Sequence, residues 1–276
     1  MDKILILLIL VNLSVTVNSQ NLPQEKMKEI IESYKSNMES VKVIKDCGHV
    51  FDGFSYMVKQ SENHWLDVSF TIKEQERKSM GKEIFKDITR AKKIVENHSA
   101  KNGVLKIITN ITSNLTSKKV NYKLTILDSQ EINAFTTMGG YIYLTTGLLD
   151  FVDSYDELAF IIGHEVAHEE KLHTQRKVTK LLFSSNILRL VKLEDFKKMA
   201  LSINSSLSAP FDQIDEYEAD KYGVFLAQKA GYNTNRFGYF FKKLEKYEKR
   251  DLLTKITSTH PFAKHRKKCI SSYISK

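Results

Sequence analysis

Proline, cysteine and tryptophan are scarce in this chain, at 3, 2 and 1 of 276 residues. The prolines stand only at Pro23, Pro210 and Pro261, and no run rich in proline, glycine or serine divides the sequence. With no linker signal, one compact domain with a short N-terminal extension is the simpler organisation. Two cysteines, Cys47 and Cys269, cannot build a structural metal site by themselves; in an exported chain they could form one disulfide between the N-terminal segment and the C-terminus. Acidic residues are outnumbered, 33 against 42 Lys and Arg, for a formal charge of +9. That suits acidic partners, and peripheral association with an anionic membrane is compatible with it. The lysines are nevertheless interleaved with glutamates and apolar residues, as in Phe241-Lys242-Lys243-Leu244-Glu245-Lys246, which is a solvated helix face. No nucleic-acid-binding module is present in the pattern.

Long apolar runs are also missing after residue 19. The start, Met1-Asp2-Lys3 followed by Ile4 to Val11 and small residues through Ser19, reads as an export signal, with an uncleaved membrane anchor as the rival. The expected division is a signal over 1–19, a helix-and-strand extension over 20–99 and a catalytic domain over 100–276. Export would place the mature chain outside the cytoplasm, secreted or periplasmic.

What is there is mostly helical patterning. Helices are expected over 25–39, 80–96, 104–115, 178–191, 213–229 and 235–249, and another from about Ser154 to Lys171. Strands are expected over 54–58, 65–72, 120–127 and 141–146. The fold class is therefore α+β, mainly helical, with a small sheet whose edge strand borders the active-site cleft. Gly140, Tyr141, Ile142 and Tyr143 are assigned to that edge, where an extended peptide could add main-chain hydrogen bonds.

Chemistry enters with His164-Glu165-Val166-Ala167-His168. Residues i and i+4 share one helix face, so both imidazoles can reach one metal ion, with Glu165 placed to act on a water there. A catalytic zinc takes three protein ligands and one open position, so a third donor must come from elsewhere. Glu216 and Asp220 lie at i and i+4 in Glu216-Tyr217-Glu218-Ala219-Asp220. One of them could bind the metal and the other accept the N–H of a ligating histidine. Glu218, His173 and His265 read as surface residues.

The chain resembles the zinc metallopeptidases of peptidase family M48, which include HtpX-like heat-shock proteases and CAAX prenyl endopeptidases. The resemblance covers Asn133-Ala134-Phe135, Gly140 through Leu149, the His164 to His168 stretch, Glu216 through Asp220, Thr259-His260-Pro261 and Arg266. It implies one Zn2+ per chain held by His164, His168 and Glu216, with Asp220 behind the ligands. It also implies a site role for His260 near the scissile carbonyl, and a structural or substrate-orienting role for Arg266. The chain departs from the family at Phe262, where a second proline is usual, and at Leu172, where an arginine is usual. The expected activity is endopeptidase cleavage of extended or unfolded protein with Glu165 as general base. The alternative is a catalytically silent, chaperone-like peptide-binding homologue.

Overall fold

The computed structural model describes residues 63, 72–117, 120–184, 213–247, 260 and 263–274. The segments expected at 25–39 and 54–58, the signal over 1–19 and Cys47 lie outside the described residues, as does all but the last residue of the strand expected at 65–72. Residues 72–178 and 196–276 belong to one compact unit, which carries the site.

Helices α1 (Glu74–Ala91) and α2 (Lys101–Thr112) lead into strand β1 (Lys123–Leu127). The chain continues through β2 (Ala134–Thr137), β3 (Tyr141–Thr145) and the short α3 (Thr146–Phe151) into α4 (Tyr155–Glu170). Helices α5 (His173–Ser184), α6 (Gln213–Lys229), α7 (Phe237–Tyr247) and α8 (Ala263–Ile274) complete the described elements. The architecture is α+β, mostly helical with a three-stranded mixed sheet. No helix among the described residues is long and apolar enough to cross a membrane.

The sheet corrects one expectation. Its order is β1-β3-β2, with β3 parallel to β1 and antiparallel to β2. Tyr141, Ile142 and Tyr143 therefore lie in the central strand, and all five β3 residues are buried. Both backbone edges of β3 are already paired, and Gly140 gives its carbonyl to the Lys123 N–H at 2.8 Å. The outer strand beside the helices is β2, which sequence patterning missed because four residues, Ala134–Thr137, are too few to show an alternation. Gly139 and Gly140 both adopt φ of +84°, the left-handed turn that joins β2 to β3.

Helix α4 is the centre of the unit. Its N-terminus is capped by Ser154, whose hydroxyl accepts from the Glu157 N–H at 3.3 Å, and the Glu157 carboxylate takes the Asp153 N–H at 3.2 Å. From Glu157 to Glu169 every residue is buried, so α4 has no solvent stripe. On one flank it meets Val104, Ile107, Ile108 and Ile111 of α2; burying each such side chain contributes about 1.5–3 kcal/mol. Phe237, Phe240, Phe241 and Leu244 of α7 belong to the same core, as their spacing predicts.

The contact between α4 and α6 sets the site. A Cβ on Gly223 would lie 2.8 Å from the His164 backbone N, and one on Gly163 would lie 2.8 Å from the Gly223 O. These neighbours are backbone atoms and cannot rotate away. Two facing glycines thus let the helix bearing His164 touch the helix bearing Glu216.

Gly223→Ala is expected to destabilise the protein by about 1–3 kcal/mol through overpacking. The same change at Gly238, where nothing lies within 4 Å of the new Cβ, is expected to be neutral or stabilising. Denaturant midpoints of the two variants check this; equal midpoints would show that the backbone contact is not limiting.

Candidate metal centre

Every residue singled out from the histidine motif and the later acidic stretch converges at the α4–α6 contact. His164, Glu165 and His168 come from α4, Glu216 and Asp220 from α6, Arg266 from α8, and His260 from the segment preceding α8. All seven are buried. The i, i+4 spacing puts Nε2 of His164 and Nε2 of His168 only 2.9 Å apart. Glu216 Oε1 is 3.4 Å from the His168 nitrogen, and Oε2 is 3.7 Å from that of His164. His260 Nδ1 stands 2.9 Å from Glu216 Oε1 and 3.3 Å from His164 Nε2. One ligand atom from each of these four residues lies within 4.8 Å of all the others, a group able to hold a metal ion.

The hydrogen bonds around the group test that fit. Asp220 Oδ1 lies 2.9 Å from His164 Nδ1, and a carboxylate can only accept, so Nδ1 carries the hydrogen and Nε2 presents a lone pair. Arg266 Nη2 approaches the same Nδ1 at 3.4 Å, but a guanidinium only donates, and the shorter contact to Asp220 decides the tautomer. Imidazole nitrogens 2.9 Å apart repel unless a proton or a cation lies between them. Two imidazole nitrogens and a carboxylate suit a first-row divalent ion. Glu165 adds a second sign: it is only 2% exposed, and its Oε2 has no hydrogen-bond partner among the described residues. A buried carboxylate oxygen left open in this way points to a group the protein is built to receive.

Burial opposes the charge on Glu216, yet Arg266 and then His260 hold its carboxyl well below the usual range. For Asp220, burial is likewise outweighed by the Arg266 guanidinium, and its pKa is lowered. Arg266 forks onto Asp220 through Nε at 2.7 Å and Nη2 at 2.6 Å, while Nη1 lies 2.5 Å from Glu216 Oε2. One guanidinium thus bridges and clamps both α6 carboxylates. Burial depresses the His168 pKa well below its ordinary value, with the neighbouring His164 adding to the effect, which favours the neutral ring, the form able to bind a metal. Burial alone would lower the His260 pKa too, but the Glu216 and Glu165 carboxylates raise it.

The surface assignments of His173 and Glu218 do not hold. His173 is fully buried, with Nδ1 3.1 Å from His168 Nδ1 and Nε2 3.1 Å from Glu218 Oε2. Glu218 is partly covered as a result, with 36% of its side chain exposed. His265 has its side chain outside those described. Sequence reasoning also missed Glu169, which is fully buried and accepts from Arg77 Nη2 at 2.5 Å, the Gly139 N–H at 3.0 Å and the Thr174 hydroxyl at 3.0 Å. That carboxylate ties α1 and the β2–β3 turn to the end of α4. No periodicity signals it, because its partners come from distant parts of the chain. A cleft beside the centre is lined by Ala134 of β2 together with Ile161, His164, Glu165, Phe240 and Leu244.

A mostly helical unit with two histidines and a glutamate from crossed helices around a buried carboxylate is the arrangement of a metallopeptidase-type site. The sequence profile of peptidase family M48 matches residues 97–274, and the chain belongs to that family. Among its relatives is the mitochondrial metalloendopeptidase OMA1 of Arabidopsis thaliana, 33% identical over 154 residues, which covers 55% of this chain and 31% of that protein. The metalloendopeptidase OMA1, mitochondrial, of Homo sapiens is 28% identical over 140 residues, 46% of this chain and 27% of the relative. The beta-barrel assembly-enhancing protease of Escherichia coli K12 is 25% identical over 172 residues, 56% of this chain and 35% of the relative. The matched part of each relative is thus about a third of its length.

Arg266→Leu leaves Glu216 and Asp220 buried without their cation and is expected to cost about 3–5 kcal/mol. Denaturant unfolding of chelator-treated protein measures it. Arg266→Lys should fall between the two, because the charge stays and the fork is lost; a loss under about 1 kcal/mol in the leucine variant would refute the clamp.

Proposed function

We propose that this chain is a zinc-dependent endopeptidase, with one zinc ion held by His164, His168 and Glu216 and with Glu165 as general base. The observation that carries this reading is the convergence of those three donors beside a buried carboxylate with an unpartnered oxygen. When bound, zinc supplies Lewis-acid polarisation of the scissile carbonyl and eases deprotonation of water at the open coordination position. Glu165 accepts the proton of the attacking water and hands it to the departing amine. In its protonated form, which the Glu216 and Glu165 carboxylates favour, His260 keeps a hydrogen on Nε2, 3.6 Å from Glu165, and donates it to the oxygen on which negative charge develops. Its Nδ1 hydrogen is engaged by Glu216, which favours this role over that of a fourth ligand. Asp220 and Arg266 hold the ligands in place.

The substrate is protein in extended or unfolded form. Support comes from β2, the outer strand next to α4, whose Ala134 lines the cleft. A peptide added along that edge would be held through its main chain, so side-chain preferences would be loose. The apolar start of the sequence supports an extracytoplasmic location, secreted or periplasmic, with a membrane anchor as the alternative. The retained base at Glu165 counts against the catalytically silent, peptide-binding reading.

Glu165→Gln is expected to bind zinc like the native protein and to lose about 10²–10⁴-fold in cleavage of an unfolded protein substrate. Chelation should abolish native cleavage and added zinc restore it. Undiminished cleavage by the glutamine variant removes Glu165 as base, and cleavage indifferent to chelator removes the metal mechanism.

A further inference from the structure

His173 is the one buried imidazole of the cluster with no part in the mechanism above. It follows His168 by five residues, which on a continuous helix would put it about 140° around from that ligand. The helix does not continue. Leu172 takes φ of +59°, the left-handed region that a leucine enters at a cost of about 1–2 kcal/mol. The turn is fixed by three bonds: the Leu172 N–H to the Glu169 carbonyl at 3.1 Å, the Arg176 N–H to the Leu172 carbonyl at 2.9 Å, and Arg176 Nη1 to the Lys171 carbonyl at 2.8 Å. Its effect is to start α5 at His173 with that ring facing His168. Non-glycine residues held in this conformation concentrate where a site demands them.

The hydrogen-bond roles can be followed inward. Glu218 Oε2 lies 3.1 Å from His173 Nε2, and Asp215 Oδ1 lies 3.7 Å from it. Carboxylates accept, so Nε2 of His173 carries the hydrogen and its Nδ1, in the neutral ring, is an acceptor. That acceptor is 3.1 Å from His168 Nδ1, which must therefore carry its own hydrogen, leaving a lone pair on His168 Nε2. Asp220 imposes the same state on His164 from the opposite side. The two Nε2 atoms, 2.9 Å apart, then face each other as lone pairs, an arrangement a cation relieves.

We propose that His173, anchored by Glu218, is a positioning residue that fixes the tautomer and ring orientation of His168 and so presents its Nε2 to the metal. The inference rests on the zinc reading above and assigns no contact between His173 and substrate. Helix α6 then braces both imidazoles, His164 directly through Asp220 and His168 through Glu218 and His173.

The test is zinc affinity, measured on the full chain by competition with a chromophoric chelator, alongside the thermal midpoint of the chelated protein. His173→Phe keeps the ring volume and removes the acceptor; zinc should bind about 10–100-fold more weakly, the range for loss of such a partner. His173→Asn, whose amide oxygen falls near the former Nδ1, should recover most of that loss. Glu218→Ala, at a partly exposed position with little fold penalty, should weaken zinc in the same direction and keeps the test open if His173→Phe does not fold. A purely structural His173 would lower the chelated midpoint without changing zinc affinity, and asparagine would not rescue it. Zinc affinities of His173→Phe and Glu218→Ala within about threefold of native would overturn the proposal while leaving the zinc reading intact, since wild-type binding and its loss in His164→Ala report on that reading separately. A wild-type chain that binds no zinc would overturn both.

Discussion

Burying charge is the constraint around which this unit is organised. Glu165, Glu216 and Asp220 lie out of water in a space that also holds four imidazoles. Carboxylates in such a place either protonate or find a cation, because desolvation of an unpaired ion costs several kcal/mol. Arg266 is the fixed cation, and Asp220 and Glu216 both remain below their ordinary pKa because it lies between them. Helix α8 reaches the α4–α6 contact and delivers that guanidinium. A metal ion would supply the remaining positive charge from the other side. The centre is thus a charge balance with one built-in cation and room for a second.

Helix α6 shows how much of that balance could be read from sequence. Its bounds, 213–229, match the expectation, and Glu216 and Asp220 share the predicted face. The i, i+4 rule was sufficient there because both side chains point at one neighbour. Glu218, half a turn away, was assigned to solvent by the same rule, and the structure places it against His173 instead. Periodicity describes a helix with one buried face. A helix packed between the ligand-bearing α4 and the start of α5 has two, and the second depended on a left-handed Leu172 that no local pattern announces. His173 was misplaced for the same reason.

The sheet failed differently. Tyr141, Ile142 and Tyr143 were rightly expected in a strand, since ring and branched side chains suit one. Whether a strand is central or at an edge depends on how many partners it finds, and β2 was too short to be recognised as one of them. A fully buried strand carries no polar alternation, and all five β3 residues being buried was the trace its central position could have left. The neighbouring β2 is an outer strand instead, and its Ala134 lines the cleft.

Gly163 and Gly223 explain why the ligand geometry does not rest on side-chain packing alone. Helices separated by ordinary side chains lie 8–10 Å apart, and ligands reaching across such a gap would need long side chains free to adopt many rotamers. Here the backbones of α4 and α6 are in contact one residue before His164. Imidazoles and short carboxylates suffice, and each is stopped by a partner: Asp220 behind His164, His173 behind His168, Arg266 behind Glu216. The glycine before His164 is outside the His-Glu-x-x-His motif and offers no donor atom, yet it sets how closely α4 and α6 approach. In this unit the chemistry is encoded by residues able to hold a metal, and their spacing by two residues that have no side chain.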